Sequence, residues 1–284
     1  MNLSGLLISL AAAFLPVQKI SPQQAGGRVP VLTTLESELA YKAGENLTYS
    51  MHYEWGLLNA DVGIGSVALE REEMNGTPVF HCTVEGQTVK KYDWVLKVRE
   101  NFQSWFTCNG IQPWKFTCYR SEGKYLAKNS FNYKWLATPA RIEADVYTPK
   151  RGQRRVQIPL DDKVFDLPSL FYFARNMDFD SVQPDVKYPM SFVIDDDIYN
   201  VHFILLGRET IKVKGLGQVK TIKFAADLIE GEVFKSDQDM TIWVSDDKNR
   251  VPVQFVAPIK IGVASGRLKD YSGLKYPFTA LIQK

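Results

Sequence analysis

The feature that most constrains this chain is a period of two. Short runs in which apolar and polar side chains alternate, separated by turn sequences, recur along most of its length. A strand points successive side chains to opposite faces, so such runs describe strands with one buried face. In NLTYSMHYEW, Leu47, Tyr49, Met51 and Tyr53 share a side. In VRENFQSWFTC the same holds for Val98, Phe102, Phe106 and Cys108, and in WKFTCYR for Trp114, Phe116 and Cys118. The stretch DMTIWVSDDKNRVPVQFVAPIKIGVASGRL, residues 239–268, sets Met240, Ile242 and Val244 on one strand against Val251, Val253 and Phe255 on the next. Pro252 offers no amide hydrogen to a ladder and places this hairpin at an edge or a bulge, as wall rather than site. The short segment KRGQRR and the tips at Asp195–Asp197 and at Asp246, Asp247 and Arg250 read as solvated turns, and GLGQVK as a turn between strands.

One segment departs from this period. In FDLPSLFYFARNMDF, apolar residues at 167, 170, 171, 174 and 177 follow helical spacing. Asp166 is placed to cap the helix and Pro168 falls in its first turn, where proline is tolerated. The pattern predicts about a dozen strands and one helix over 167–177. A long antiparallel sheet must curl to bury its apolar face and hide its edges. The expected fold is therefore mostly β: a large, highly curved antiparallel sheet, an open or half barrel, with one central helix on its concave side. Gly63 and Gly65 interrupt a strand and mark a flat patch for close packing.

The apolar run from Leu3 to Val17 has the length of a signal-peptide core and is too short to span a bilayer comfortably. Residues 1–25 are expected to be a signal peptide and disordered leader, cleaved between Ala13 and Ala25, and 26–284 a single β-rich domain in the periplasm. No cysteine follows the apolar run to take a lipid, and no later stretch is long and apolar enough for a transmembrane span. A net charge of +2 without a basic face argues against nucleic acid. Cys82, Cys108 and Cys118 lack metal-site spacing and fall on inward faces, where packing explains them. An oxidising compartment permits one disulfide, and the odd count leaves at least one thiol unpaired.

Three groups of residues, in order along the chain, carry a resemblance: Gly44, Glu45, Leu47 and Tyr49; Asp166, Ser169, Tyr172 and Arg175; and Trp243, Ser245, Asp246, Arg250, Pro252, Gly262 and Leu268. They resemble an exported domain-of-unknown-function family of Gram-negative bacteria. The resemblance spans about residues 41 to 271, nearly all of the expected mature chain. It implies a curved-sheet fold similar to the lipoprotein carriers LolA and LolB, and by analogy a hydrophobic or lipid-like ligand.

No motif for hydrolysis, phosphate binding or dinucleotide binding is present, and His52, His81 and His202 alternate out of phase with the apolar faces, which predicts solvent exposure. No catalytic residue, metal ligand or cofactor is expected, and the chain reads as a non-enzyme. The candidate ligand-binding residues lie on the helix: Arg175, Phe171, Tyr172 and Ser169, with Arg175 holding an anionic head. The expected function is binding or carrying a lipid-like molecule. The rival readings are an envelope scaffold that binds a protein partner through a sheet edge and, ranked last, a hydrolase.

Overall fold

A computed structural model of the chain describes residues 29–94, 97–160, 163–226, 240–259 and 262–283. The expected leader falls outside the described residues. The strands are β1 (Glu45–Trp55), β2 (Leu58–Met74), β3 (Thr77–Thr88), β4 (Val98–Thr107), β5 (Pro113–Glu122), β6 (Tyr125–Lys134), β7 (Arg141–Thr148), β8 (Gly152–Pro159), β9 (Tyr188–Ile194), β10 (Asp197–Val213), β11 (Gly217–Ala226), β12 (Met240–Ser245), β13 (Pro252–Pro258), β14 (Val263–Ser272) and β15 (Leu281–Gln283). The helix α1 (Leu167–Ala174) lies between β8 and β9.

All strands join one 15-stranded sheet in the order β8-β7-β6-β5-β4-β3-β2-β1-β14-β13-β12-β11-β10-β9, with β15 added beside β11. Two meanders, β1 to β8 and β9 to β14, meet where β1 pairs antiparallel with β14. The sheet is not closed into a barrel: β8 and β9 are its two edges. The connection between them must pass from one edge of the sheet to the other, and α1 is part of that connection. It packs against β3, β4 and β9. On the inner face Leu47, Leu69, Phe80, Cys82, Phe106, Phe116 and Phe131 are buried in one core with Tyr172 and Phe173 of α1. All three cysteines are buried and unpaired, on the faces that alternation predicts.

The edges are held by other means than a strand ladder. Phe165 exchanges backbone hydrogen bonds with Ser191 and Val193, covering the outer edge of β9. At the β9–β10 tip, Asp195 takes a left-handed backbone (φ 54°), which aspartate tolerates. Its carboxylate accepts hydrogen bonds from Arg120 Nη2 at 2.6 Å and Asn129 Nδ2 at 2.7 Å, both on the other meander. Asp196 pairs with Arg151 at 2.6 Å and with Arg154 on β8. The three aspartates are therefore an ionic clasp across the open seam, and not the solvated tip expected from their charge. KRGQRR supplies two of the clasp's arginines, while Arg155 stays exposed beside Asp145.

Several other expectations change. Of the two places expected for Pro252 it takes the bulge: it begins the interior strand β13, at the register shift where it pairs with Val244. Helix α1 ends at Ala174, short of 177, because the Asn176 side chain donates to the Tyr172 carbonyl at 2.8 Å, where a further helical amide would have bonded. The turn after β12 is buried at Asn249, whose side chain bonds the backbone of Tyr276 and Pro277. The histidines are out of phase with the apolar faces, as alternation predicts, but half-buried and not freely solvated: His52 meets Asp61 at 2.8 Å, His81 meets Glu72 at 2.7 Å and stacks on Trp105, and His202 is partly covered on β10.

Candidate functional site

The concave side is not completely filled. Beneath α1 lies a cavity of about 360 Å³ whose wall is almost entirely apolar. Leu167, Leu170, Phe171 and Ala174 line it from α1; Tyr49, Met51 and Val67 from β1 and β2; and Met190, Phe203, Phe224, Ile242 and Phe255 from the second meander. Each comes from an element whose alternation or helical period turns that side chain inward. The volume is within the range of small-molecule sites.

Glycines give the cavity its depth. Gly65 of β2 and Gly86 of β3 are cross-strand partners on its wall. A methyl group at Gly65 would rest in ordinary contact with the Glu85 carbonyl at 3.7 Å and the Met51 sulfur at 3.8 Å, so the position admits a side chain at the cavity wall without a clash at its first carbon. At Gly86 it would come within 3.2 Å of a Glu100 carboxylate oxygen. Gly63 differs: a methyl there would lie 2.9 Å from the Gln87 carbonyl, so this glycine allows close backbone approach.

Glu100 is the polar group on the β4 wall, and it hydrogen-bonds Glu122 on the neighbouring strand. Both side chains are inward and buried, beside Arg120. Burial pushes the Glu122 carboxyl up to about 7, against the pull of the Arg120 guanidinium and the Glu100 hydrogen bond. Its folded value lies above the ordinary 4.5, so its stabilising contribution is complete below that value and is lost as pH rises through about 7. Glu122→Gln, which imitates the protonated acid, is expected to raise stability above about pH 8 and change it little below about pH 4. Urea midpoints of the two proteins that stay a constant distance apart across this range would contradict the assignment.

The four helix residues divide between two environments. Phe171 faces the cavity. Ser169 and Tyr172 are fully buried on the opposite, core side. Ser169 completes a reciprocal cap with Asp166: its amide donates to Asp166 Oδ1 at 2.9 Å, and its hydroxyl accepts from the Asp166 amide at 3.0 Å. Ser104 donates to the other Asp166 oxygen at 2.9 Å. Burial raises the Asp166 carboxyl to about 6, opposed by these hydrogen bonds.

Arg175 touches the cavity wall but is only 1% exposed, and its donors are directed elsewhere. The guanidinium forms a bidentate pair with Glu45 of β1, with Nη2 to Oε2 at 2.8 Å. It also donates to the Asn249 carbonyl from Nε and Nη2 at 3.2 and 2.9 Å. Tyr172 donates to Glu45 at 3.2 Å, and the rings of Tyr41 and Tyr172 flank the guanidinium at 5.3 Å. Burial disfavours this charge, but Glu45 more than offsets that and holds the arginine pKa above its usual value. Residues from the three stretches that carry the sequence resemblance thus meet in one buried knot. The knot ties β1, α1 and the β12–β13 turn together, with Arg175 at the cavity wall.

A family model described as "Protein of unknown function (DUF3108)" matches residues 48–269. The chain belongs to this family. The DUF3108 chain is similar in fold to the crystal structure of a beta-barrel-like protein of domain of unknown function DUF1849 from Brucella abortus. The TM-score is 0.51 at 8% identity, covering 87% of this chain and all of the other. A second structure, described as a "putative lipoprotein" from Parabacteroides distasonis, aligns at TM-score 0.33 and 10% identity over 83% of this chain and 99% of the other; a likeness this distant bears on neither fold nor function. No curated protein matches the chain.

Elsewhere on the described surface, Glu70, Glu72 and His81 bring donor atoms within 4.8 Å of one another, close enough to share a cation. Two of them already bond within the protein: Glu72 accepts from Trp105 Nε1 at 2.9 Å, and His81 Nε2 meets Gln103 Oε1 at 3.2 Å.

Proposed function

We propose that this DUF3108 protein is an exported, periplasmic binding protein that holds a hydrophobic, lipid-like molecule in the cavity beneath α1. The observation that carries the reading is the cavity itself: apolar walls contributed by both meanders and the helix, glycines in the β2–β3 wall, and the Arg175–Glu45 knot at one end. A packed protein interior leaves few voids larger than a water molecule. The apolar run at residues 3–17 and the resemblance to the curved-sheet carriers LolA and LolB support export and a lipid-like ligand.

Phe171 is a wall of this site, whereas Tyr172, Ser169 and Arg175 act by fixing the helix that forms its roof. Because Glu45 neutralises Arg175 internally, the ligand is held by shape and apolar contact, with Glu100 as the nearby polar group. A role in binding fits these residues better than catalysis. Recruitment of a protein partner through a sheet edge is less well supported, because β9 is covered by Phe165 and β8 carries Arg154 and Arg155.

Native mass spectrometry of gently purified protein tests the reading together with Gly65→Leu, which adds a side chain at the cavity wall with no backbone atom closer than 3.7 Å to its first carbon. The wild type is expected to retain a lipid-mass adduct or to bind a fluorescent fatty-acid probe. Gly65→Leu should weaken probe binding by about tenfold or more at unchanged thermal stability. Absence of both adduct and probe binding in the wild type would mean that the cavity is a packing gap.

A further inference from the structure

The antiparallel order sends hairpin tips alternately to the two ends of the sheet. The β1–β2, β3–β4, β5–β6, β9–β10 and β13–β14 tips share one end, and the β12–β13 turn with the Arg175 knot lies at the other. At the first end, two neighbouring tips are conspicuously apolar. Leu57 is 107% exposed and Trp55 is 44% exposed on the β1–β2 tip; Trp94 is 84% exposed on the β3–β4 tip. Neither connection's geometry calls for large apolar side chains, and two indoles and a leucine held in water form an apolar patch.

Both tips stand on a firm base. Tyr53, Val62 and Val98 at their roots are buried in a small core with Ala257, Ile259 and Ala264, and Tyr92 packs against it. The exposed side chains are thus presented by anchored hairpins. Their surroundings are basic: Lys90, Lys91 and Lys97 are exposed on the second tip, and Lys124 on the β5–β6 tip beyond it. Glu54 is exposed nearby, while Asp93 is engaged by Arg99 at 2.6 Å. Tryptophan and leucine among lysines fit the interfacial layer of a membrane, where indoles settle at headgroup depth and lysines meet anionic lipid. The cavity wall reaches the same place, through Val62, Thr88 and Val98 at the roots of these two hairpins.

We propose that the two tips bearing Trp55, Leu57 and Trp94, with Lys90, Lys91 and Lys97 around them, dock the protein on an anionic lipid surface and set the end of the cavity farthest from the Arg175–Glu45 knot against it. The docking surface goes beyond the cavity reading and stands without it, since adsorption to a membrane requires no bound ligand.

Co-sedimentation with vesicles of equal parts phosphatidylcholine and phosphatidylglycerol, set against phosphatidylcholine alone, tests the proposal. The wild type is expected to bind the anionic vesicles, more weakly as salt rises, with a blue shift of tryptophan fluorescence. Leu57→Ser with Trp94→Ser, both fully outside the core, should raise the half-saturating lipid concentration about tenfold or more. Replacing Lys90, Lys91 and Lys97 together by glutamine should weaken binding to anionic vesicles only. No vesicle binding by the wild type, or binding that these substitutions leave unchanged, overturns the proposal. Because Gly65→Leu alters the cavity and not the tips, it should bind vesicles like the wild type, which separates failure of the docking surface from failure of the ligand reading.

Discussion

Glu45→Ala is expected to destabilise the protein by about 3–5 kcal/mol, read as a shift of the denaturant midpoint at constant m-value. The substitution strips the carboxylate from a guanidinium that is 1% exposed and leaves it donating to the Asn249 carbonyl, at 2.9 Å from Nη2. A buried charge that loses its counterion retains the full cost of having left water. Arg175→Ala should be comparably severe, since it orphans Glu45 and removes the tie between α1 and the β12–β13 turn. Replacing both members by apolar residues of similar volume should recover much of the loss, because the pair's attraction mainly offsets its own desolvation. Had Arg175 served an anionic ligand, Arg175→Ala would release the ligand and leave the fold standing. The geometry predicts the reverse order: the fold weakens first.

The contrast shows how far alternation carries. It locates the strands, the inward thiols and the helix, because burial of an apolar face leaves a period in the sequence. The same parity, applied to charged residues, also marks the sites that hold the fold together. Glu45 is in phase with Leu47 and Tyr49, Glu100 with Val98 and Phe102, and Arg120 and Glu122 with Phe116 and Cys118. A charged residue in phase with a core face must be paired inside, and each of these is buried. What parity does not carry is the partner. Glu45 and Arg175 are separated by 130 residues, and Asp195 reaches Arg120 across 75. Those distances are set by curvature and by the crossing of the connection, which no local pattern encodes. The tips at Asp195–Asp197 and Asp246–Asp247 therefore look solvated in sequence and are docked in the structure. The cavity is similarly invisible: Gly65 announces a missing side chain, but only the placement of α1 opposite it makes that absence a volume.

Asp195→Ala should open the seam. The carboxylate is buried, and one of its oxygens accepts from both Arg120 and Asn129. Its removal takes away the carboxylate that accepts from a guanidinium only 1% exposed, with Glu100 and Glu122 still beside it, which is expected to cost about 3 kcal/mol, the low end for breaking a buried pair. Asp196→Ala is the informative contrast. Its arginine partners are about a third exposed, water already screens the pairs, and each such pair contributes about 1 kcal/mol or less. Hydrogen exchange locates the effect. In Asp195→Ala, amides of β8, β9 and the first residues of β10 should exchange faster, while β1, β2 and β14 at the centre of the sheet keep their protection. High salt should reproduce part of the Asp196→Ala phenotype and little of the Asp195→Ala one, since screening reaches exposed pairs and not buried ones. If Asp195→Ala instead speeds exchange uniformly across the sheet, the edges are held by the core through α1 and Phe165, and the clasp is incidental to closure. If exchange rises only at the seam, the open sheet is kept curved by two side-chain carboxylates in the place where a barrel would have a ladder of backbone hydrogen bonds.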